Sequence, residues 1–579
     1  MQPLADPISS RRYQSVTPEK AGGATYTPES LARFVGERIS ENAELVGRTS
    51  LTILDPAIGD GALVLALLDA LQTKTQAAIS IRGFDTNISA LNDASQRIRT
   101  AYPSASLELT QGNFLDFVVR NGRGAAPSLF APTERQAFDL IIANPPYVRT
   151  QIMGSDQAQR LAATFGLSGR VDLYQAFLLG ITQMLADDGT AGIIVSNRFM
   201  TTKGGGVLRS ALREHFKLQH VWDLGDTKLF GAAVLPAVIS ARGRAAPCTE
   251  PPLFTSIYEA KEVASARAPD PISALRHEGI VEVADGRRFV VRHGTLADSG
   301  SDDDVWRISS RTSDQWLSTV DYHTWKCFGE IGKIRVGVKT CADKVFIRHD
   351  WDSAFGNEKP ELLRPLMTHH VSGRFRAVPS KKVREILYPH EVVQGQRKAS
   401  PLERFPKSRT YLESHRPALE SRSYVLAAGR RWYELWVPQD PEAWSLPKLV
   451  FRDISERPTF WIDLDGSIVN GDCYWMVSDR ADNTDLLWLA AAVANSTFAE
   501  AFYDHRFNNK LYAGRRRFIT QYVEQFPLPD PVSPLSRDIV ARAKALYAAD
   551  HAPEAATMES ELDDLIWRVF GLRVEEVSR

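Results

Sequence analysis

The sequence predicts an α/β protein: a doubly wound, mainly parallel, Rossmann-like sheet followed by a mixed α+β domain. Two observations carry this. Short apolar runs alternate with helical patterns from about residue 25 to 245, as they do where crossover helices join parallel strands. Beyond residue 306 the chain is richer in Trp, Tyr and Arg and is broken by Pro, with no internal repeat. At 579 residues it also exceeds one ordinary hydrophobic core, so more than one domain is required.

Strands are expected at LTILDP (51–56), ISIRGFD (79–85), FDLIIANPP (138–146), TAGIIVS (190–196), LQHVWDL (218–224) and VLPAVISAR (234–242). Helical periodicity falls between them, at 62–72, 173–186 and 207–216. Residues 1–245 are therefore read as the first domain. Residues 246–305, with GRAAPCTEPP (243–252) across their start and DSGSDDD (298–304) near their end, have the Pro, Ala and charge texture of a connecting region with some structure of its own. A second domain is expected over 306–535. SRDIVARAKALYAA and ESELDDLIWRVFGL read as amphipathic helices, a packing appendage over 536–579.

Hydrophobic residues make up 44% and charged residues 24% of the chain, which excludes a disordered or fibrous protein. The four cysteines lack the close spacing of a zinc site or a secreted disulfide framework, so no metal is expected and a reducing, cytoplasmic setting fits. No signal-like N-terminus or run of eighteen apolar residues occurs, so neither export nor a membrane partner is indicated.

The segment from Ile53 to Ala62 runs from a strand through Asp55 and Pro56 into a turn at Gly59 and Gly61, then a helix. Such a turn lets backbone approach a ligand, and the helix start offers unpaired N–H groups. An acidic strand end repels a pyrophosphate and suits a ligand bearing an amino group. Asp85, ending the second strand, stands where doubly wound folds place a carboxylate on ribose hydroxyls. A tight turn with no ligand is the plainer reading of this loop taken alone.

The reacting centre is read at Asn144-Pro145-Pro146-Tyr147, directly after a buried strand. Pro145 and Pro146 stop the strand and stiffen the loop. An exocyclic amine is a poor nucleophile because its lone pair is delocalised into the ring. The Asn144 side-chain oxygen and the Pro145 carbonyl can accept its two N–H bonds and aim the lone pair at a sulfonium methyl, with Tyr147 as a stacking face. The plainer reading is a turn with an aromatic plug.

ILDPAIGDGA followed by ANPPYVR resembles the amino-methyltransferases, and GATYTPESLARFV (23–35) lying before both resembles the gamma-class DNA adenine-N6 methyltransferases of restriction-modification systems, TaqI-like methylases among them. The resemblance implies S-adenosyl-L-methionine as cofactor, its methionine part held by Thr25, Tyr26 and Pro28. Thr27-Pro28 also reads as a threonine-capped helix start. LGDTKLFGAAVLPAVISAR resembles the segment whose aromatic sandwiches a flipped base against the NPPY tyrosine, which gives that role to Phe230. At Gln111-Gly112-Asn113-Phe114 the chain departs from the pattern: Asn113 stands where Asp commonly precedes Phe to bind the cofactor's adenine amine. The resemblance further implies a bacterial, adenine-specific DNA methyltransferase acting by base flipping. It is expected to be a monomer, and a separate cognate endonuclease would form no stable complex with it.

Fainter resemblance to a target-recognition domain runs through the second half. From Arg364 to Arg431 there are 15 Lys/Arg, 5 Glu and no Asp, within a chain of net charge -1. This stripe, with Arg430 and Arg431 at its end and Arg515, Arg516 and Arg517 beyond, has the sign and density for tracking the phosphates of double-stranded DNA. A solvated charged face is the plainer reading. Rival functions are protein glutamine N5-methylation, which NPPY also serves, and a non-catalytic DNA-binding protein on a methylase scaffold. Amino-cytosine methylation more usually carries Ser-Pro-Pro-Tyr.

Overall fold

The computed structural model describes residues 27–121, 136–147, 155–167, 172–230, 235–246, 251–298, 300, 305–378, 383–478, 484–507, 515–549 and 554–573. The chain forms two compact units, Met1–Ser310 and Arg311–Arg579.

In the first unit β1 (Ser50–Asp55), β2 (Ala78–Asp85), β3 (Ser106–Gln111), β4 (Phe138–Ala143) and β5 (Leu185–Ser196) run parallel in the order β3-β2-β1-β4-β5. β7 (Pro236–Arg242) then lies antiparallel between β5 and β6 (Lys217–Asp223). All six expected strands form. β3 was not expected, because SLELTQ alternates polar and apolar residues at the sheet's edge and none of its residues is buried.

Helices cover both faces, as a sheet with apolar residues on each side requires. On one face α1 (Glu29–Asn42) and α2 (Ala62–Leu71) bury Leu31, Val35, Ile39, Val64 and Leu67 against Ile53 and Ile142. On the other α4 (Phe114–Asn121), α5 (Leu173–Met184) and α6 (Gly206–His215) close over Leu54, Ile141 and Ile193. On the first face too, α3 (Ile88–Ala101) follows β2 and buries Leu91, Ala94 and Ile98 in the same core, its first turn capped by Asn87, whose side chain accepts from the Ser89 N–H.

The chain does not leave this sheet where the sequence reading ended the first domain. β8 (Leu253–Glu259), β9 (Ala266–Ala268), β10 (Gly279–Val283), β11 (Arg288–Ala297) and β12 (Arg307–Ser309) extend it, β8 pairing in parallel with β6. Within 246–305, then, a sheet stands where a connecting region was expected. LFTSIYE and RFVVRHGTLA carry the β-branched and aromatic residues that fill a pleated surface, and Phe254, Ile257, Phe289 and Val291 are buried. The Pro, Ala and charge texture belongs to the connections flanking these strands.

The second unit is α+β. Strands Ile334–Val336, Cys473–Met476, Lys448–Arg452 and Phe460–Asp463 form an antiparallel sheet, and a second four-stranded sheet centres on Leu363–Met367 and Arg384–Leu387. Trp351, Trp444, Trp461 and Trp475 fill its core. The expected C-terminal helices form at Pro534–Ala548 and Ala555–Val569. They pack on helix Asp485–Asn495 through Ile539, Ala543, Leu562 and Ile566, so the appendage is part of this unit.

Candidate active site at the carboxyl edge of the sheet

Chain order reverses between β1 and β4, and a doubly wound sheet opens a crevice at such a switch point, outside the carboxyl ends of its strands. Asp55 ends β1, and Asn144 follows the last residue of β4.

Asp55 is fully buried. Its Oδ1 accepts from the Ala57 N–H at 3.0 Å, while Oδ2 has no partner among the described residues. Burial pushes this carboxyl up to about 7; the Ala57 N–H opposes the shift, and Asp85 and Asp60 add to it. Beside it Pro56 leads into a turn in which Gly59 (φ 53°) and Gly61 (φ 81°) adopt the left-handed conformation that favours glycine. A Cβ on Gly61 would lie 3.3 Å from Ala94, so the turn is also closely packed, whereas one on Gly59 would meet nothing within 4 Å. The Gly59 N–H donates to Asp85 Oδ2 at 3.1 Å and the Asn87 N–H to Asp85 Oδ1 at 2.8 Å. Two backbone donors thus hold the Asp85 carboxylate in place, and each oxygen keeps a second lone pair. Ile88, just beyond, is half exposed, an apolar side chain at this edge that sequence reading did not single out.

Asn113 Oδ1 accepts from the Leu115 N–H at 3.0 Å and so caps the start of α4. Phe114 is fully buried, its ring 5.8 Å from Phe84 and 5.6 Å from Phe177, a core residue and not an exposed contact. Of the N-terminal ligands the resemblance names, Thr25 and Tyr26 lie outside the described residues, and Pro28 opens α1.

Asn144 is half-buried, and its Nδ2 donates to Thr27 Oγ1 at 2.9 Å. Pro145 is buried, and Pro146 and Tyr147 are half-buried. The Tyr147 ring lies 6.2 Å from that of Tyr174, and its buried hydroxyl has no partner among the described residues. Burial, with Tyr174 adding, raises this phenol, so it stays neutral.

Phe230 does not join this group. It is 6% exposed and belongs to the core on the α1 face of the sheet, whereas Tyr147 packs on the core of the other face. No ring contact joins Phe230 to Tyr147 among the described residues; Phe230 lies in the same core as Trp222 and Leu224, where burial favours an apolar ring.

The segment leading to Phe230 is anchored by residues that the sequence reading passed over. Asp223 Oδ2 accepts from the Tyr258 hydroxyl at 2.6 Å, and Oδ1 from Asn197 Nδ2 at 2.9 Å and the Gly225 N–H at 3.2 Å. All three side chains are buried, and burial lifts the Asp223 carboxyl to about 6 against these hydrogen bonds. Asp226 accepts from the Glu259 N–H, and Arg287 donates to the Thr227 carbonyl at 2.8 Å. The strands beyond residue 250 thus hold this loop.

In the second unit, Arg516 makes a bidentate pair with Asp504, both bonds 2.8 Å, and Arg517 one with Asp453 at 3.0 and 3.2 Å. Both side chains, expected on phosphates, are thus paired with carboxylates of their own unit. Arg430 donates to the Leu435 and Trp436 carbonyls, and Arg431 to the Tyr433 hydroxyl at 2.8 Å. Arg431 and Arg515 stay exposed. Within the stripe Arg409 pairs with Glu413 and Arg416 with Glu420, while Arg422 is buried against the Thr340 and Trp432 carbonyls.

A family profile described as Eco57I restriction-modification methylase matches residues 36–230, the span from α1 to Phe230. The Type II methyltransferase M.BanIII of Aneurinibacillus aneurinilyticus is 34% identical over 571 residues, 96% of this chain and 98% of that one. The chain belongs to the Type II restriction-modification methyltransferases. Another relative of this methylase, M.BstVI of Geobacillus stearothermophilus, is 24% identical over 88% of the chain and 90% of its own length. The fold also matches the Type IIL restriction-modification enzyme MmeI, solved in complex with DNA, with a TM-score of 0.58 at 13% identity over 94% of this chain and 72% of that one. Among the described residues no helix of the methylase is long and apolar enough to cross a membrane.

Proposed function

We propose that the methylase moves a methyl group from S-adenosyl-L-methionine to N6 of adenine in double-stranded DNA, by base flipping, as a gamma-class, TaqI-like modification enzyme. The observation that carries this reading is Asn144-Pro145-Pro146-Tyr147 leaving β4 at the switch point where Asp55 ends β1.

The cofactor's groups fit the residues present. The buried Asp55 carboxylate, one oxygen of it unmatched, suits an ammonium group, and Asp85 has lone pairs for ribose hydroxyls. When bound, S-adenosyl-L-methionine supplies an electrophilic methyl group on a sulfonium. Asn144 Oδ1 and the Pro145 carbonyl accept the two N–H bonds of the target amine and turn its lone pair toward that methyl. Transfer would form the new N–C bond as the cofactor's C–S bond breaks, and one amine proton would leave to solvent. Tyr147 offers its ring to the extruded base, which must leave the duplex because the stack hides its amine. The second unit, with Arg431 and Arg515 exposed, is the DNA target-recognition domain in this reading, and no metal takes part. The enzyme acts as a cytoplasmic monomer, and any cognate endonuclease is a separate chain.

The test is transfer from tritiated cofactor to duplex DNA, followed by nucleoside digestion. Label on N6 of adenine is expected. Asn144→Ala is expected to abolish turnover while cofactor and DNA still bind. Label on cytosine, or on a protein glutamine, overturns the reading.

A further inference from the structure

We propose that Thr27 is a positioning residue for Asn144, its hydroxyl anchoring the Asn144 carboxamide in place for the target amine. This inference rests on the amine-transfer reading above.

A carboxamide has an acceptor at one end and a donor at the other, nearly equal in shape, so a half-turn exchanges them at little steric cost. Only one orientation serves an amine. The oxygen must face its N–H, since the reversed amide sets donor against donor. The donors of the target amine select the oxygen, and the other end needs an anchor that keeps the side chain from drifting: the Thr27 hydroxyl, able to accept or donate, takes the Asn144 Nδ2 proton at 2.9 Å.

Threonine before proline at a helix start ordinarily reads as a cap. Here Pro28 occupies the N-cap position (φ -56°, ψ 144°) and the helix has no side-chain cap bond. The Thr27 hydroxyl is spent on Asn144 instead. Its position is also well fixed. A residue preceding proline is confined to extended backbone, and α1 itself is clamped on two sides. A Cβ on Gly36 of α1 would lie 2.7 Å from the Ala66 carbonyl of α2, and one on Gly192 of β5 would lie 2.7 Å from Ile39 of α1. The helix cannot slide without drawing Thr27 off Asn144.

The test compares wild type, Thr27→Val and Thr27→Ser as full-length proteins in single-turnover methyl transfer, with cofactor and DNA dissociation constants measured alongside. Valine keeps the shape and removes the hydroxyl, whereas serine keeps it. Thr27→Val is expected to slow transfer by about 10- to 100-fold with both affinities nearly unchanged, and Thr27→Ser to regain most of the rate. Should the valine variant fail to fold, Thr27→Ala removes the same hydroxyl without adding a methyl group. Wild-type transfer in the hydroxyl-less variant overturns the proposal. So does weakened cofactor affinity at an unchanged transfer rate, which would make Thr27 a cofactor ligand. A wild-type protein that methylates no DNA faults the amine-transfer reading itself, whereas a methylating wild type matched by Thr27→Val faults only the role of Thr27.

Discussion

At the scale of single residues, Asp55 gathers the most consequences. Its carboxyl sits near 3.8 when exposed and about 7 when folded, chiefly because burial disfavours its charge. A raised folded value means that its stabilising contribution is complete below about 3.8 and is lost as pH climbs toward about 7. Asp223, lifted to about 6, acts with the same sign. These two carboxyls should therefore make the cofactor-free protein progressively less stable from pH 4 to pH 7, a contribution that Asp55→Asn should reduce relative to wild type in thermal unfolding followed across that range. A cationic ligand favours the ionised carboxylate, so calorimetry should show S-adenosyl-L-methionine binding more tightly above pH 7 than below it, with proton release near neutrality. An equal affinity at pH 5.5 and 8 would remove Asp55 from the cofactor site. Asp85→Ala should weaken cofactor binding by about 1 to 3 kcal/mol, the scale of lost hydrogen bonds to a charged group; an unchanged dissociation constant would place the ribose elsewhere.

At the scale of elements, what was legible in the sequence follows from burial. Strands covered on both faces spell continuous apolar runs, so β1, β2 and β4 to β7 could be read directly. β3 has no buried residue, β9 is only three residues long, and β8, though buried, interrupts its apolar residues with Thr255 and Ser256, so their patterns were diluted. The site was legible for a similar reason. A turn with two left-handed glycines and a strand stopped by two prolines leave a local mark. Thr27 and the Tyr258–Asp223 pair act across long sequence separations and leave none. Phe230 is buried although the resemblance gives it a stacking role, because a resemblance carries over a residue type but not its rotamer or burial. With its ring in the core, Phe230→Ala should cost about 3 to 5 kcal/mol in denaturant unfolding. Tyr147→Ala should leave stability closer to wild type and lose base stacking worth about 1 to 3 kcal/mol, read from the fluorescence of 2-aminopurine at the target position. If Phe230→Ala folds normally and loses only that signal, the ring turns outward when DNA binds and the sandwich is restored.

At the scale of the whole molecule, a net charge of -1 conceals a basic stretch from Arg364 to Arg431, and the cations of the second unit divide by partner. An arginine already paired with a carboxylate adds no net charge toward a phosphate, and releasing it would leave that carboxylate behind. Counting Lys and Arg along the stripe therefore overstates the charge on offer. Arg515 and Arg516 are neighbours in sequence with opposite environments: Arg515 is exposed, whereas the Arg516 side chain is 11% exposed and bonded to Asp504 and the Glu456 carbonyl. Arg515→Ala should weaken DNA binding evenly across sequences and lower the salt slope by about 1, the expected value for one lost phosphate contact, with the unfolding midpoint unmoved. Arg516→Ala should do the reverse, costing about 2 to 4 kcal/mol of stability because Asp504 is left half-buried without its cation, with the salt slope of the protein that remains folded unchanged. An Arg516→Ala protein of full stability and reduced slope would mean that its pair with Asp504 opens to bind DNA, and the division of cations argued here would then have to be drawn again.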